Sequence, residues 1–291
     1  MSEVECVVDC QNNHGEGPAW SVDEQKLYWL DIQSSELWRY DPETGETKTW
    51  KSQERIAAFA FREDGGLLVA FESGLAFYDP ETGRTEKIQD MEPDLATTRM
   101  NDGRCDRQGR FIIGGMDESE NAKPISNVYR VDRDLSIHQI ISGVTCANST
   151  CFSPDGRIMY FADTPVGEIW AYDYNINTGA ITNKRIFADF SDQPGTPDGS
   201  IVDSEGFLWN AQWNGHRVIR YRPDGSVDRV IEFPVLNPTC VAFGGKDLDI
   251  LYVTTSRYHM TPEQIKVEPL SGGLFAVKVD VKGLDEPKFR G

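Results

Sequence analysis

The chain has 291 residues, with 29 Lys and Arg against 47 Asp and Glu, a net charge of −18. That much negative charge repels phosphate backbones and argues against nucleic-acid binding. A content of 39% hydrophobic and 26% charged residues excludes a disordered chain, and no run nears the ~20 apolar residues of a membrane span.

In chain order, VECVVD (Val4 to Asp9) reads as a strand standing ahead of a repeat. The repeat begins with SVDEQKLYWLD from Ser21, a polar turn and then an alternating apolar strand. It returns as FREDGGLLVAF from Phe61, CDRQGRFIIGG from Cys105, FSPDGRIMYFAD from Phe152, VDSEGFLWNAQ from Val202 and FGGKDLDILYVTT from Phe243. After each copy comes a second strand with a turn. YDPETGET (Tyr40 to Thr47) and YDPETGRT (Tyr78 to Thr85) are nearly identical, and looser versions lie around Val131, Tyr172, Tyr221 and Val277. Six units over 291 residues fit the roughly 40–50 residues of a four-stranded propeller blade. The expected fold is therefore all-β, a six-bladed β-propeller in one domain over residues 1–291, with the strand at 4–9 closing the last blade. TPEQIKVEPL (Thr261 to Leu270) reads as a helix, with Thr as N-cap and Pro at its first position.

The six copies align on their turns at Glu24, Gly65, Gly109, Gly156, Gly206 and Asp247. Eight residues earlier stand Glu16, Ala57, Asn101, Asn148, Asp198 and Thr239. Each is expected to begin the innermost strand of its blade and to face one end of a central channel. Glu16, Asn101, Asn148 and Asp198 offer two carboxylates and two amide oxygens, a donor set for a hard or borderline divalent cation. Turn chemistry would account for one such residue, but not for oxygen donors at equivalent positions of four repeats.

These residues lie in GEGPAW, RMNDGRCDRQGRFIIGGM, NSTCFSPDG and PDGSIVDSEGFLWNAQW, and with PLSGGLFAV they make the chain resemble the senescence-marker-protein/gluconolactonase (regucalcin-like) family over nearly its whole length. The resemblance implies a channel cation held by Glu16, Asn148 and Asp198, with Arg99 and Asn101 binding substrate. It also implies an acidic substrate contact after GGM, to be chosen among Asp117, Glu118 and Glu120, with Glu118 taken here. The family usually carries Thr where this chain has Gly115. The implied activity is hydrolysis of a sugar lactone to an open-chain aldonic acid in sugar catabolism. The cofactor is one divalent cation: Ca, Zn, Mn, Mg or Fe(II). Asp198 is the expected base that takes the attacking water's proton, and a cation polarises the lactone carbonyl. Arg55 is a candidate for pairing with an acidic sugar lactone.

Competing signals are weaker. No G-x-S-x-G elbow or H-E-x-x-H motif is present. His14 adjoins the ligand loop as either a proton relay or a loop residue, and His216 reads as a turn residue. The stretch from Trp209 to Trp213 could stack on a sugar or pack between blades. Cys6, Cys10, Cys105, Cys146, Cys151 and Cys240 lack metal spacing and read as buried reduced thiols. The first ten residues, MSEVECVVDC, show no basic n-region or long apolar stretch, so a cytoplasmic location is expected. The expected partner is a small sugar lactone, neither nucleic acid nor membrane. The alternatives are a paraoxonase-like esterase or phosphotriesterase, and a cation-binding propeller without turnover.

Overall fold

The computed structural model describes residues 3–291. Strand β1 (Glu5–Val8) precedes a run of six antiparallel sheets. The first four meanders in chain order are β2 (Gly15–Ser21), β3 (Lys26–Asp31), β4 (Glu36–Tyr40) and β5 (Thr47–Lys51); β6 (Ile56–Phe61), β7 (Leu67–Phe71), β8 (Gly74–Asp79) and β9 (Arg84–Asp90); β10 (Thr98–Cys105), β11 (Phe111–Asp117), β12 (Ser126–Val131) and β13 (Ile137–Val144); and β14 (Ala147–Phe152), β15 (Ile158–Asp163), β16 (Glu168–Tyr174) and β17 (Ile181–Asp189). Then come β18 (Thr196–Val202), β19 (Leu208–Trp213), β20 (Arg217–Tyr221) and β21 (Val227–Glu232). The last sheet is β22 (Pro238–Gly244), β23 (Ile250–Thr255) and β24 (Leu274–Lys278). These are the blades of a six-bladed β-propeller. The last meander supplies three strands of its own, and β1 pairs antiparallel with β24 to make the fourth, Cys6 opposite Phe275.

In each sheet one outermost strand is the most exposed. Every residue of β14 and β22 is buried, whereas β9 (RTEKIQD) is almost wholly exposed. The Lys and Arg side chains on β5, β9 and β17 suit solvent-facing edges.

The chain divides into two units, 1–51 with 190–285 and 52–189 with 286–291. In the first, Trp209 meets Phe243 edge to face at 5.9 Å, and Trp20 stacks on Tyr252 at 5.8 Å. A buried ion cluster supports this unit. Asp203 is fully buried and accepts hydrogen bonds from Trp209 Nε1 (2.8 Å) and from Arg220 Nε and Nη2 (2.9 and 2.7 Å).

In the second unit Asp106 plays the corresponding part at the corresponding turn. It accepts from Arg110 Nε at 2.6 Å and from the Tyr174 hydroxyl at 2.7 Å. The last six residues fasten this unit in a way the repeat pattern does not announce. Phe289 is fully buried beside Leu68 and Phe111, its N–H donates to the Phe61 carbonyl at 2.7 Å, and Glu286 pairs with Arg104 at 2.8 Å.

Helix α1 (Pro262–Val267) is shorter than its sequence pattern. Thr261 caps it through a reciprocal capping box with Gln264, and Glu268 ends it. Among the described residues no helix is long and apolar enough to cross a membrane. None of the six cysteines is in a disulfide, but only Cys105, Cys151 and Cys240 are buried; Cys6, Cys10 and Cys146 are half-buried, a correction to the expectation. Burial still pushes the Cys10 thiol up to about 12.

Candidate active site

The six aligned positions fall where the first strand of each blade is broken. Pairing is interrupted between Glu16 and Ala19, Ile56 and Ala58, Met100 and Gly103, Asn148 and Cys151, Pro197 and Ser200, and Pro238 and Cys240. A bulge re-aims a side chain that a regular strand would direct along the pleat. Gly17 and Ser149 immediately follow Glu16 and Asn148 and take φ of 55° and 60°. Glycine adopts that conformation freely; at Ser149 it is a local cost, borne beside Asn148.

In the second unit the site residues form a hydrogen-bonded chain. Asn148 is buried and donates through Nδ2 to Thr164 Oγ1 at 2.8 Å. That bond turns the amide so that Oδ1 receives only the distant Asn101 Nδ2, at 3.5 Å. A nearly buried amide oxygen with so weak a donor suits a cation ligand. Asn101 is committed differently. Its Oδ1 accepts from Arg99 Nη1 at 2.8 Å and its Nδ2 donates to the Ala147 carbonyl at 2.9 Å. Its amide oxygen is therefore occupied, which fits a substrate contact better than a ligand.

Arg99 is 3% exposed and donates through Nε to Glu118 Oε1 at 2.7 Å. Arg55 grips the same carboxylate with two bonds, Nη1 to Oε1 at 2.9 Å and Nη2 to Oε2 at 2.7 Å. Its Nε donates to Glu72 Oε2 at 2.7 Å. Burial works to raise the Glu118 pKa, but hydrogen bonds from Arg55 and the charge and hydrogen bonds of Arg99 outweigh it and hold the carboxyl at about 2. The group is depressed relative to its unfolded value, so its pairing contributes fully above about pH 4.5 and is lost as pH falls toward 2. Among the three acidic candidates, Glu118 is the one held by both arginines. Asp117 is structural: the Thr97 hydroxyl first, then the Lys123 and Ser119 backbone N–H groups, hold its carboxyl well below the usual range against the effect of burial. Glu120 is exposed on the following turn. A Cβ on Gly115 would lie 2.2 Å from Ser126 Oγ and 2.9 Å from the Arg99 carbonyl, so the Thr usual in the family does not fit beside Arg99 here.

The first unit carries Glu16 on β2 and Asp198 on β18. Glu16 Oε2 accepts from the Gly17 N–H at 2.7 Å, and Asp198 is 5% exposed. Asn210, fully buried in mid-strand, braces this bulge. Its Nδ2 donates to the Asp198 carbonyl at 3.1 Å and to Ser200 Oγ at 3.0 Å. Thr239, the aligned residue of the last blade, donates to the Gly15 carbonyl at 2.6 Å and so supports the strand that carries Glu16. His14 Nδ1 lies 2.9 Å from Ser256 Oγ, and its ring packs against Trp213 and Tyr258 at 5.7 and 5.4 Å. The two tryptophans of the β19 run separate: Trp209 is core, whereas Trp213 is half-buried beside His14. His216 occupies a turn at φ 55°, its Nε2 2.9 Å from Glu268 Oε1.

Gly199 follows Asp198 in the bulge, and a Cβ there would stand 2.2 Å from Cys240 Sγ and 2.8 Å from Cys240 Cα. Gly199→Ala is expected to cost about 1–3 kcal/mol through overpacking and to displace Asp198. Thermal denaturation and activity, measured side by side, should both fall.

Sequence reasoning missed Asn210, Thr164 and Glu72. A polar residue in the middle of an apolar strand, as in WNAQW, was the available signal for Asn210. Thr164 and Glu72 follow the ends of β15 and β7 and carry no local signal.

The fold is a six-bladed β-propeller that carries its aligned polar side chains at breaks in the first strands of its blades. The model of the SMP-30/gluconolactonase/LRE-like region matches residues 14–257, and the chain belongs to this family. An L-arabinolactonase from Azospirillum brasilense is 40% identical over 98% of this chain and 95% of its own length. A 6-deoxy-6-sulfogluconolactonase from Pseudomonas putida is 37% identical over 99% of both chains. The crystal structure of a calcium-binding protein, regucalcin, from Agrobacterium tumefaciens superposes with a TM-score of 0.95 at 31% identity, covering 100% of this chain and 98% of that one.

Proposed function

We propose that this protein hydrolyses a sugar lactone to its aldonic acid in cytoplasmic sugar catabolism, with Glu16, Asn148 and Asp198 holding one divalent cation. The observation that carries the reading is the donor set at the bulges: carboxylates on β2 and β18, and on β14 an amide turned by Thr164 so that its oxygen lacks a strong donor. Membership of the family and the names of the two lactonase relatives support the substrate class. The calcium-binding neighbour supports a cation.

A divalent cation bound there supplies Lewis acidity toward the lactone carbonyl. Asp198 accepts the proton of the attacking water. Arg99 uses Nε and Nη1 on Glu118, Met100 and Asn101, leaving its Nη2 N–H groups to orient the substrate. Asn101, pinned at both ends of its amide, orients the same ligand without competing for the cation. Glu118 accepts from sugar hydroxyls and stays ionised across the working pH range.

The test is hydrolysis of an aldonolactone panel, followed by proton release with spontaneous opening subtracted. Chelator-stripped protein is compared with protein resupplied with Ca²⁺, Mg²⁺, Mn²⁺, Zn²⁺ or Fe²⁺. Stripping is expected to lower the rate at least ~100-fold, and one metal to restore it. If no lactone exceeds background with any metal, the reading is wrong.

A further inference from the structure

Arg55 stands two residues ahead of Ala57 in its blade, as Arg99 stands two ahead of Asn101 in the next repeat. Both guanidinium groups reach the same Glu118 carboxylate. The two arginines, Glu72, Glu118, Thr97 and Ser119 line a cavity of about 350 Å³, enough for the hydroxylated part of a small sugar lactone. Arg99 in the cavity wall is hydrogen-bonded to Asn101, and Asn101 in turn to Asn148.

The sequence makes Arg55 a candidate cation for an acidic substrate, and its surroundings say otherwise. Nη1 and Nη2 both donate to Glu118, and Nε donates to Glu72. Two guanidinium groups face two carboxylates, so the wall carries no net charge. An anionic substituent would find its cations already paired and would meet the carboxylates of Glu72 and Glu118, which are 35% and 27% exposed. A hydroxyl group meets no such penalty, because it can accept from Arg99 Nη2 and donate to carboxylate lone pairs. The relatives named for arabinonolactone and for a sulfonated gluconolactone show that both substrate classes occur near this chain.

We propose that Glu72 and Arg55 form a charge-balancing pair that sets the substrate class of this pocket: uncharged polyhydroxy lactones in preference to lactones bearing a carboxylate or sulfonate. This inference rests on the lactonase reading above. Glu72 acts through Arg55 and is a specificity-positioning residue.

The test compares the metal-loaded wild type with Glu72→Gln and Arg55→Gln. The kcat/KM values for arabinono-1,4-lactone and for a 1,4-lactone carrying one carboxylate are measured together. In parallel, calorimetry gives the Kd of two unreactive cyclic ethers, a 1,4-anhydroalditol and its carboxylate-bearing counterpart. The wild type should favour the neutral lactone at least ~10-fold. Glu72→Gln uncovers a positive charge and should raise the acid-to-neutral ratio ~10-fold, mainly through KM; Glu72→Asp should restore the wild-type ratio. Arg55→Gln leaves a negative excess and should lower the ratio. General structural damage would move both ratios the same way, and melting curves identify it. Unmoved ratios, or ratios that move in one direction together, overturn the proposal. If no lactone is hydrolysed but the ether Kd ratios still move in opposite directions, the lactonase reading fails and the charge-balance inference stands. If no lactone is hydrolysed and neither ether binds, both fail.

Discussion

Asp198→Asn is expected to lower lactone hydrolysis by ~10²–10⁴-fold, the range for loss of a general base. The same change weakens the cation site, because a carboxylate ligand becomes a neutral amide. The fold should survive. Asn is nearly isosteric, and the backbone that carries the bulge is held from elsewhere: Asn210 reaches the Asp198 carbonyl rather than its carboxylate. The signature to seek is a wild-type melting temperature with a collapsed kcat and weaker metal retention on dialysis. An enzyme as active as wild type would remove Asp198 from the mechanism.

Five residues further along the same blade, the opposite outcome is expected. Asp203→Asn should leave the donor set intact and destabilise the protein by about 3 kcal/mol, the low end of the cost of breaking a buried ion pair. Asp203 is fully buried, and both its oxygens are in use. Oδ1 accepts from the Glu205 and Phe207 N–H groups, and Oδ2 accepts from Trp209 and from two nitrogens of Arg220. Arg220 keeps Glu205 and Asp228 as partners, which moderates the loss. For a chain of this size the melting temperature should fall by about 5–10 °C. Activity measured well below the transition should remain near wild type. The two variants together separate a carboxylate assigned to chemistry from one that holds the blade.

The repeat signal was legible because it is local. Alternating apolar residues and polar turns recur within each unit, so the six meanders and the β1 strand that completes the last sheet follow from short stretches of sequence. The Thr261 cap is local in the same way. Counting eight residues back from each turn reached the strand breaks because every blade repeats the same hairpin geometry. The chain's own residues therefore determined the blade repeat and the positions from which Glu16, Asn101, Asn148 and Asp198 project.

Tertiary structure decided how those side chains are used. Glu118, rather than Asp117 or Glu120, is the acid shared by the arginines because Arg55 arrives from 63 residues away and Arg99 from 19. Arg55 is neutralised, not free for an acidic lactone, because β7 delivers Glu72 beside it. Asn148 presents its oxygen because Thr164, beyond the end of the neighbouring strand, takes its nitrogen. Phe289 seals its unit although nothing in KFRG resembles a repeat. Hydrophobic period and turn chemistry act over a few residues and can be read in order along the chain. Ion pairs and amide orientations depend on which distant strands the fold brings within 3 Å, and no local pattern encodes that distance.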